Sequence, residues 1–254
     1  MRYPFIAIVS LLMVASSRAE DFPWPPKPYS ADYALSINGQ DVGTAQRSLS
    51  QLDSGHWLYQ TSARAGIIAQ ANESSEFIIQ GEQLRPISYH LQRQMLFSQR
   101  HTDLDFRWND QQLVTHTERD AERSFPLPAA SLDKLSLEIQ MRHDLQTHAA
   151  KLSYALADAD GIKFYDYQIT AHERLHTAMG DLDTLKIERP NAAQNQRQTI
   201  FWVAPSLADL PVQVEQIEHG TVFLLRLTAY HPGSGAGTGG TNDAPQALGK
   251  VTPR

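Results

Sequence analysis

Cysteine is absent from all 254 residues. That excludes disulfides, thiol nucleophiles and the lipid anchor that bacterial lipoproteins carry on a cysteine at the cleavage site. Positive charge is also scarce: 22 Lys and Arg stand against 28 Asp and Glu, a net −6. Nucleic acid is therefore not an expected partner, because neutralising phosphates requires a basic face. Long apolar runs are missing too, and no segment reaches the ~18 uninterrupted apolar residues of a membrane-crossing helix. No phosphate-cradling loop occurs, and the only Gly-Ser-Gly, Gly233-Ser234-Gly235, lies outside any strand-to-helix context for a nucleophile elbow.

What is present begins with an export pattern. Arg2 supplies a positive start, Phe5 to Ala15 is apolar apart from Ser10, and Ser17-Arg18-Ala19 has the small residues a signal peptidase inspects. The expected signal peptide is 1–19, and its removal leaves a soluble chain two charges more acidic. Residues 20–29 form a proline-rich lead-in around Phe22-Pro23-Trp24-Pro25-Pro26-Lys27-Pro28, unsuited to a helix or central strand. Residues 231–254, rich in glycine and small polar side chains, read as a disordered tail with too little apolar surface to offset ordering entropy. Between them, 30–230 reads as a single β-rich domain.

Within that stretch short alternating runs recur between turn signals. Tyr33, Leu35 and Ile37 alternate with polar neighbours up to Asn38-Gly39, a pair that favours a tight hairpin. Similar runs cover His56 to Ala65, Phe77 to Gln80, Arg85 to Phe97, Thr102 to Trp108 and Gln112 to Glu118. One segment departs from alternation: Ser131 to about His148 places Leu132, Leu135, Ile139 and Met141 or Leu145 at helical spacing, with Asp133 near the positive end. Strand patterning then resumes from Lys151 to Tyr230. The predicted class is mainly β, a curled antiparallel sheet, open β-barrel or β-spiral, with one substantial α-helix as an amphipathic plug.

His172-Glu173-Arg174-Leu175-His176 matches the letters of a zinc-peptidase signature. That chemistry needs both imidazoles on adjacent helical turns, about 2.0–2.1 Å from one metal. A helical stripe through Phe164, Tyr167, Ala171 and Leu175 exists, but Asp166 to His176 also alternates, every even position being polar. Tyr, Ile and Thr content and the flanking Asp160-Gly161 and Gly180-Asp181 turns favour a strand. On a strand, positions four apart lie roughly 13 Å apart. No third ligand is evident downstream, so no metal site, cofactor or catalytic residue is assigned.

Asp103 and Asp105 share one strand face, a geometry open to glycosidase carboxylates and equally to a charged outer surface. Aromatics in strand-like runs include Tyr59, Phe97, Phe106, Tyr165, Tyr167 and Phe223, with Trp57, Tyr89, Trp108 and Trp202 as ligand-binding candidates. An incompletely closed curled sheet leaves an apolar groove that aromatics can line.

The order of several motifs is also familiar. Tyr33-Ala34-Leu35-Ser36-Ile37-Asn38-Gly39 with Val42-Gly43, Arg85-Pro86-Ile87-Ser88-Tyr89, Leu132-Asp133-Lys134-Leu135-Ser136, Gly180-Asp181-Leu182-Asp183-Thr184-Leu185-Lys186-Ile187, and Phe201-Trp202-Val203-Ala204-Pro205 with Leu210-Pro211-Val212 together resemble a bacterial exported family, domain-of-unknown-function family 3108 (DUF3108). The resemblance implies a periplasmic protein of a Gram-negative bacterium, supplies no catalytic residues, and suggests the open barrel of periplasmic lipoprotein carriers. Three functional expectations follow: noncatalytic binding of a hydrophobic or amphipathic envelope component (lipid, lipoprotein or glycan) or an envelope protein; a zinc hydrolase using His172, Glu173 and His176; or a structural envelope protein without a small ligand.

Overall fold

The computed structural model describes residues 24–67, 69–96, 98–190 and 197–233. The signal read over 1–19, the first part of the lead-in, Phe97 and the tail beyond 233 lie outside the described residues. The chain forms one curled, unclosed, almost wholly antiparallel sheet around one helix. Its first meander runs through β1 (Tyr29–Ile37), β2 (Gln40–Gln51), β3 (Trp57–Ala65), β4 (Ala69–Gln80), β5 (Gln83–Met95), β6 (Ser98–Arg107), β7 (Gln112–Thr117) and β8 (Arg123–Pro126). A two-residue strand β9 (Ser131–Leu132) leads into α1 (Lys134–Gln146). The second meander is β10 (Leu152–Asp158), β11 (Gly161–Thr177), β12 (Gly180–Glu188), β13 (Gln198–Ala204), β14 (Leu210–Glu218) and β15 (Thr221–Pro232).

Sequential neighbours pair except β8 and β9, which are the sheet's two edges, and the two meanders are joined where β1 pairs with β15; among the described residues only β9 and β10 run parallel. The first hairpin is the Asn38-Gly39 turn the sequence predicts, with φ of 48° and 81° at its two central residues. The sheet's ends approach without forming a ladder. Arg123 at the start of β8 reaches Asp160 at 3.2 Å, and Thr115 Oγ1 donates to Ala159 O at 3.3 Å. Phe125 lies so close to Gly161 that a Cβ there would stand 2.9 Å from its ring.

Helix α1 differs from the expected amphipathic plug. Its nine residues from Leu135 to His143 are all buried, because the curled sheet encloses it with β3, β4 and β5 on one side and β9 and β10 on the other. Its polar side chains are buried with partners. Glu138 accepts from Arg47 and Tyr59, Gln140 Oε1 accepts from Leu84 N at 2.9 Å, and Arg142 Nη1 donates to Tyr29 OH at 3.0 Å. The start is set by Asp133, whose carboxylate caps Leu135 N and Ser136 N and accepts from Ser75 Oγ at 2.6 Å; the Ser136 hydroxyl reciprocates to Asp133 N. At the other end of the helix, Trp24 of the lead-in stacks on His143 with ring centroids 4.0 Å apart.

Four strand stretches exceed their sequence reading. The first half of β4, Ala-Gln-Ala-Asn-Glu-Ser-Ser-Glu, has no large apolar residue to mark the inward face. β8 and β9 are too short to show a period. β15 continues to Pro232, two residues into the predicted tail.

Candidate functional site

The interior of the sheet is filled at one end and hollow at the other, and the difference is written on alternate positions of two strands. Inward along β3 run Trp57, Tyr59, Thr61, Ala63 and Ala65; along β4, read backwards, run Phe77, Ser75, Glu73, Ala71 and Ala69. Large side chains occupy the lower layers with Leu84, Leu104, Phe106, Leu113 and Ile139, all buried. The paired alanines, Ala63 opposite Ala71 and Ala65 opposite Ala69, leave the upper layers unfilled.

The result is a cavity of about 870 Å³. It opens between the turns at Asn38-Gly39, Gly66-Ile67 and His219-Gly220, since the strand ends beside them, Ile37, Ala65, Ala69, Glu218 and Phe223, belong to its wall. Leu35, Leu156, Ile162, Phe201, Val214 and Leu225 complete an apolar lining. Its floor is polar. Arg47, Thr61, Glu73 and Leu91 form one cross-strand row over β2 to β5, and the first turn of α1 adds Lys134 and Glu138 beneath the apolar wall.

Electrostatics at this floor are strong. Burial pushes the Lys134 ammonium down to about 8, the nearby Arg197 and Arg93 guanidiniums act in the same direction, and Glu73 and Asp158 oppose them. Tyr89, whose hydroxyl donates to Glu73 at 3.0 Å, is held well above the usual phenol range by burial and then by that carboxylate. Burial raises Asp133 as well, against the hydrogen bonds from Ser75, Ser136 and Leu135 that hold its charged form.

None of the four aromatic candidates lines the cavity wall. Trp57 packs in the filled lower core. Tyr89 lies just behind the floor, gripping Glu73, with the Lys134 Nζ 6.0 Å from its ring centroid. Trp108 donates to Pro86 O at 2.6 Å and stacks on Phe106 below the cavity. Trp202 follows cavity-lining Phe201 and so faces the other side of β13, where its Nε1 donates to Glu173 Oε2 at 2.8 Å. Tyr165, Tyr167 and Phe223, from the wider aromatic set, do reach the wall. Sequence reasoning missed Arg47 and Lys134, although Arg47 shares the inward parity of Ala45 and Leu49 and thereby announced a buried charge.

His172, Glu173 and His176 lie on strand β11, as alternation predicts. His172, Arg174 and His176 form an exposed row, and His176 Nδ1 lies 2.7 Å from Asp181 Oδ1 on β12. Glu173 shares the sheltered odd parity of Ala171 and Leu175, and the β11–β12 ladder shifts between Ile169 and Ala171. Among the described residues no group of three His, Cys, Asp or Glu gathers about a common point. Asp103 and Asp105 sit outward, alternating with inward Leu104 and Phe106, and pair with His90 at 2.8 Å and Arg107 at 3.6 Å respectively.

Comparison with known proteins agrees on the fold. A beta-barrel-like protein of domain of unknown function DUF1849 from Brucella abortus superposes with a TM-score of 0.54 at 8% identity, covering 81% of this chain and 98% of that one. At this identity the likeness concerns the fold alone. No protein of curated function matches the chain. The profile of the family described as protein of unknown function (DUF3108) matches residues 29–225, the span of the curled sheet from β1 into β15, and the chain belongs to that family.

Proposed function

We propose that this chain is an exported, noncatalytic protein that holds an amphipathic component of the bacterial envelope, its apolar part inside the cavity. The observation that carries the reading is the taper from large to small inward residues, which makes a hollow where the same strands elsewhere make a core. Its volume of about 870 Å³ lies within the roughly 300–1,000 Å³ of small-molecule sites. Apolar surface also continues outward past the wall. Met95 and Phe164, both lining residues, are 62% and 73% exposed at the mouth, and Leu96 beside them is 65% exposed. Such a rim suits passage of an apolar chain and is costly to leave in water without a use. The export pattern of residues 1–19 supports an envelope location.

The test is titration with an uncharged fluorescent probe, N-phenyl-1-naphthylamine. The folded protein should bind it saturably, and Ala71→Trp, which fills the hollow from its wall, should abolish the signal while leaving the circular dichroism spectrum unchanged. Absence of saturable binding, or equal binding by the filled variant, overturns the proposal.

A further inference from the structure

The charges around the cavity do not balance locally. Six cations and four carboxylates line it, in a chain whose overall charge is −6. Three of those cations have carboxylate partners: Arg47 with Glu138 at 2.6 Å, Lys163 with Asp158 at 2.7 Å, and Arg93 with Glu218 at 3.8 Å. The fourth carboxylate, Glu73, accepts from Tyr89. Among the described residues, Lys134, Arg189 and Arg197 have no carboxylate within ion-pair distance. Arg189 is covered by Tyr165, 4.2 Å from the ring centroid, whereas Lys134 Nζ stands 6.0 Å from the Tyr89 centroid, so that Lys134 and Arg197 are the least compensated cations facing the hollow.

Lys134 is badly placed for stability in three respects. It is largely removed from water, it is repelled by Arg197 and Arg93, and it occupies the first turn of α1, where the helix field is positive and the Asp133 cap, already engaged by Leu135 N, Ser136 N and Ser75, is the carboxylate at that end. Independently, Arg47 Nε has no hydrogen-bond partner although its side chain is only 7% exposed, and Thr61 Oγ1, its cross-strand neighbour in the floor row, is likewise unpartnered. Both line the cavity. Buried donors without partners are uncommon and expensive, and here two of them share a floor with an unpaired ammonium.

We infer that the cavity floor is an anion site in which Lys134 and Arg197, with the free Arg47 Nε–H and Thr61 hydroxyl, hold the acidic head of an amphiphile, a carboxylate or a phosphate monoester. The inference rests on the cavity reading above and adds the ligand's charge and orientation: acidic head at the helix start, apolar chain along the alanine wall towards the mouth. One anion satisfies two cations and two orphan donors at once. A neutral chain of equal length satisfies none of them.

The test is displacement of the same uncharged probe at pH 7 by hexadecanoic acid, hexadecyl phosphate and hexadecanol. The acids should displace it at least about tenfold more tightly than the alcohol, the worth of one charge-assisted hydrogen bond. Whichever of the two acids is preferred names the head group. Lys134→Met should bring acid and alcohol within about twofold of each other, and Lys134→Arg should retain the preference. Equal displacement by acid and alcohol in the unsubstituted protein overturns the anion site while leaving the apolar cavity standing. A preference that survives both Lys134→Met and Arg197→Gln overturns the assignment to these residues. Failure of the probe itself to bind removes the cavity reading and this inference together.

Discussion

Arg47 on β2 and Glu138 on α1 form a buried ion pair, Nη1 to Oε2 at 2.6 Å, with 7% and 5% of their side chains exposed. Tyr59 donates to the other carboxylate oxygen, and Arg47 also lies over the Tyr33 ring at 5.2 Å. The pair fixes the helix to the wall beneath the cavity. Glu138→Ala strands a buried guanidinium and should cost about 3–5 kcal/mol in urea denaturation. The double replacement Arg47→Met with Glu138→Leu should cost less, because it removes the desolvation penalty along with the attraction. A double variant that loses as much as the two single replacements added together would show that the pair is not electrostatically coupled.

Lys134 sets a pH dependence of opposite sense to that of a salt-bridged lysine, whose folded-state pKa is raised. Its folded value, about 8, lies below its ordinary 10.5, so between those limits the unfolded chain binds more protons and stability rises with pH. The penalty is fully present below about pH 8. Lys134→Met should therefore raise the melting temperature at pH 7 by about 2–4 °C, what ~1 kcal/mol produces in a chain of this size. The advantage should fade towards pH 10. Acid binding should weaken from about pH 8 upward as the free ammonium loses its proton, and Lys134→Arg should flatten that decline. A destabilised Lys134→Met protein at pH 7 contradicts this account of the floor.

Gly43 tests the register that shapes the wall. The β1–β2 ladder shifts between Leu35 and Ser36, and a Cβ on Gly43 would stand 1.8 Å from the Arg64 carbonyl oxygen on β3. Backbone cannot yield there as a side-chain tip can. Gly43→Ala should cost about 1–3 kcal/mol by overpacking, read from chemical denaturation. A neutral substitution would mean that β2 and β3 are not so closely apposed.

The exposed row of His172, Arg174 and His176 carries a chemical prediction. With imidazoles roughly 13 Å apart along an extended strand, His176→Ala should leave the zinc content of purified protein unchanged, measured by plasma mass spectrometry. One equivalent of zinc lost on substitution would restore the hydrolase reading.

Much of the fold was legible because inward and outward positions differ in kind. Leu104 and Phe106 against Asp103 and Asp105 mark one strand without ambiguity, and Asn38-Gly39 fixes its hairpin through backbone stereochemistry. The helix was found by position, but its burial was hidden: Glu138, Gln140 and Arg142 look solvent-facing in sequence and are inside because partners from distant strands meet them. The cavity was less visible still. Attention to large aromatics selected Trp57 and Trp108, which fill space, whereas the hollow is made by Ala63, Ala65, Ala69 and Ala71, residues that carry no chemical signal of their own. Only their shared parity with Trp57 and Phe77 shows that the barrel has been emptied at one end.

Photocrosslinking tests the central claim most directly. Hexadecanoic acid bearing a diazirine near its terminal methyl, irradiated with the protein and mapped by peptide mass spectrometry, should label the wall and mouth of the cavity, around Ala63, Ala71 and Phe223, and excess unlabelled acid should suppress the label. Adducts confined to the outer face, such as the His172 to His176 row, or labelling that unlabelled acid does not compete, would contradict it.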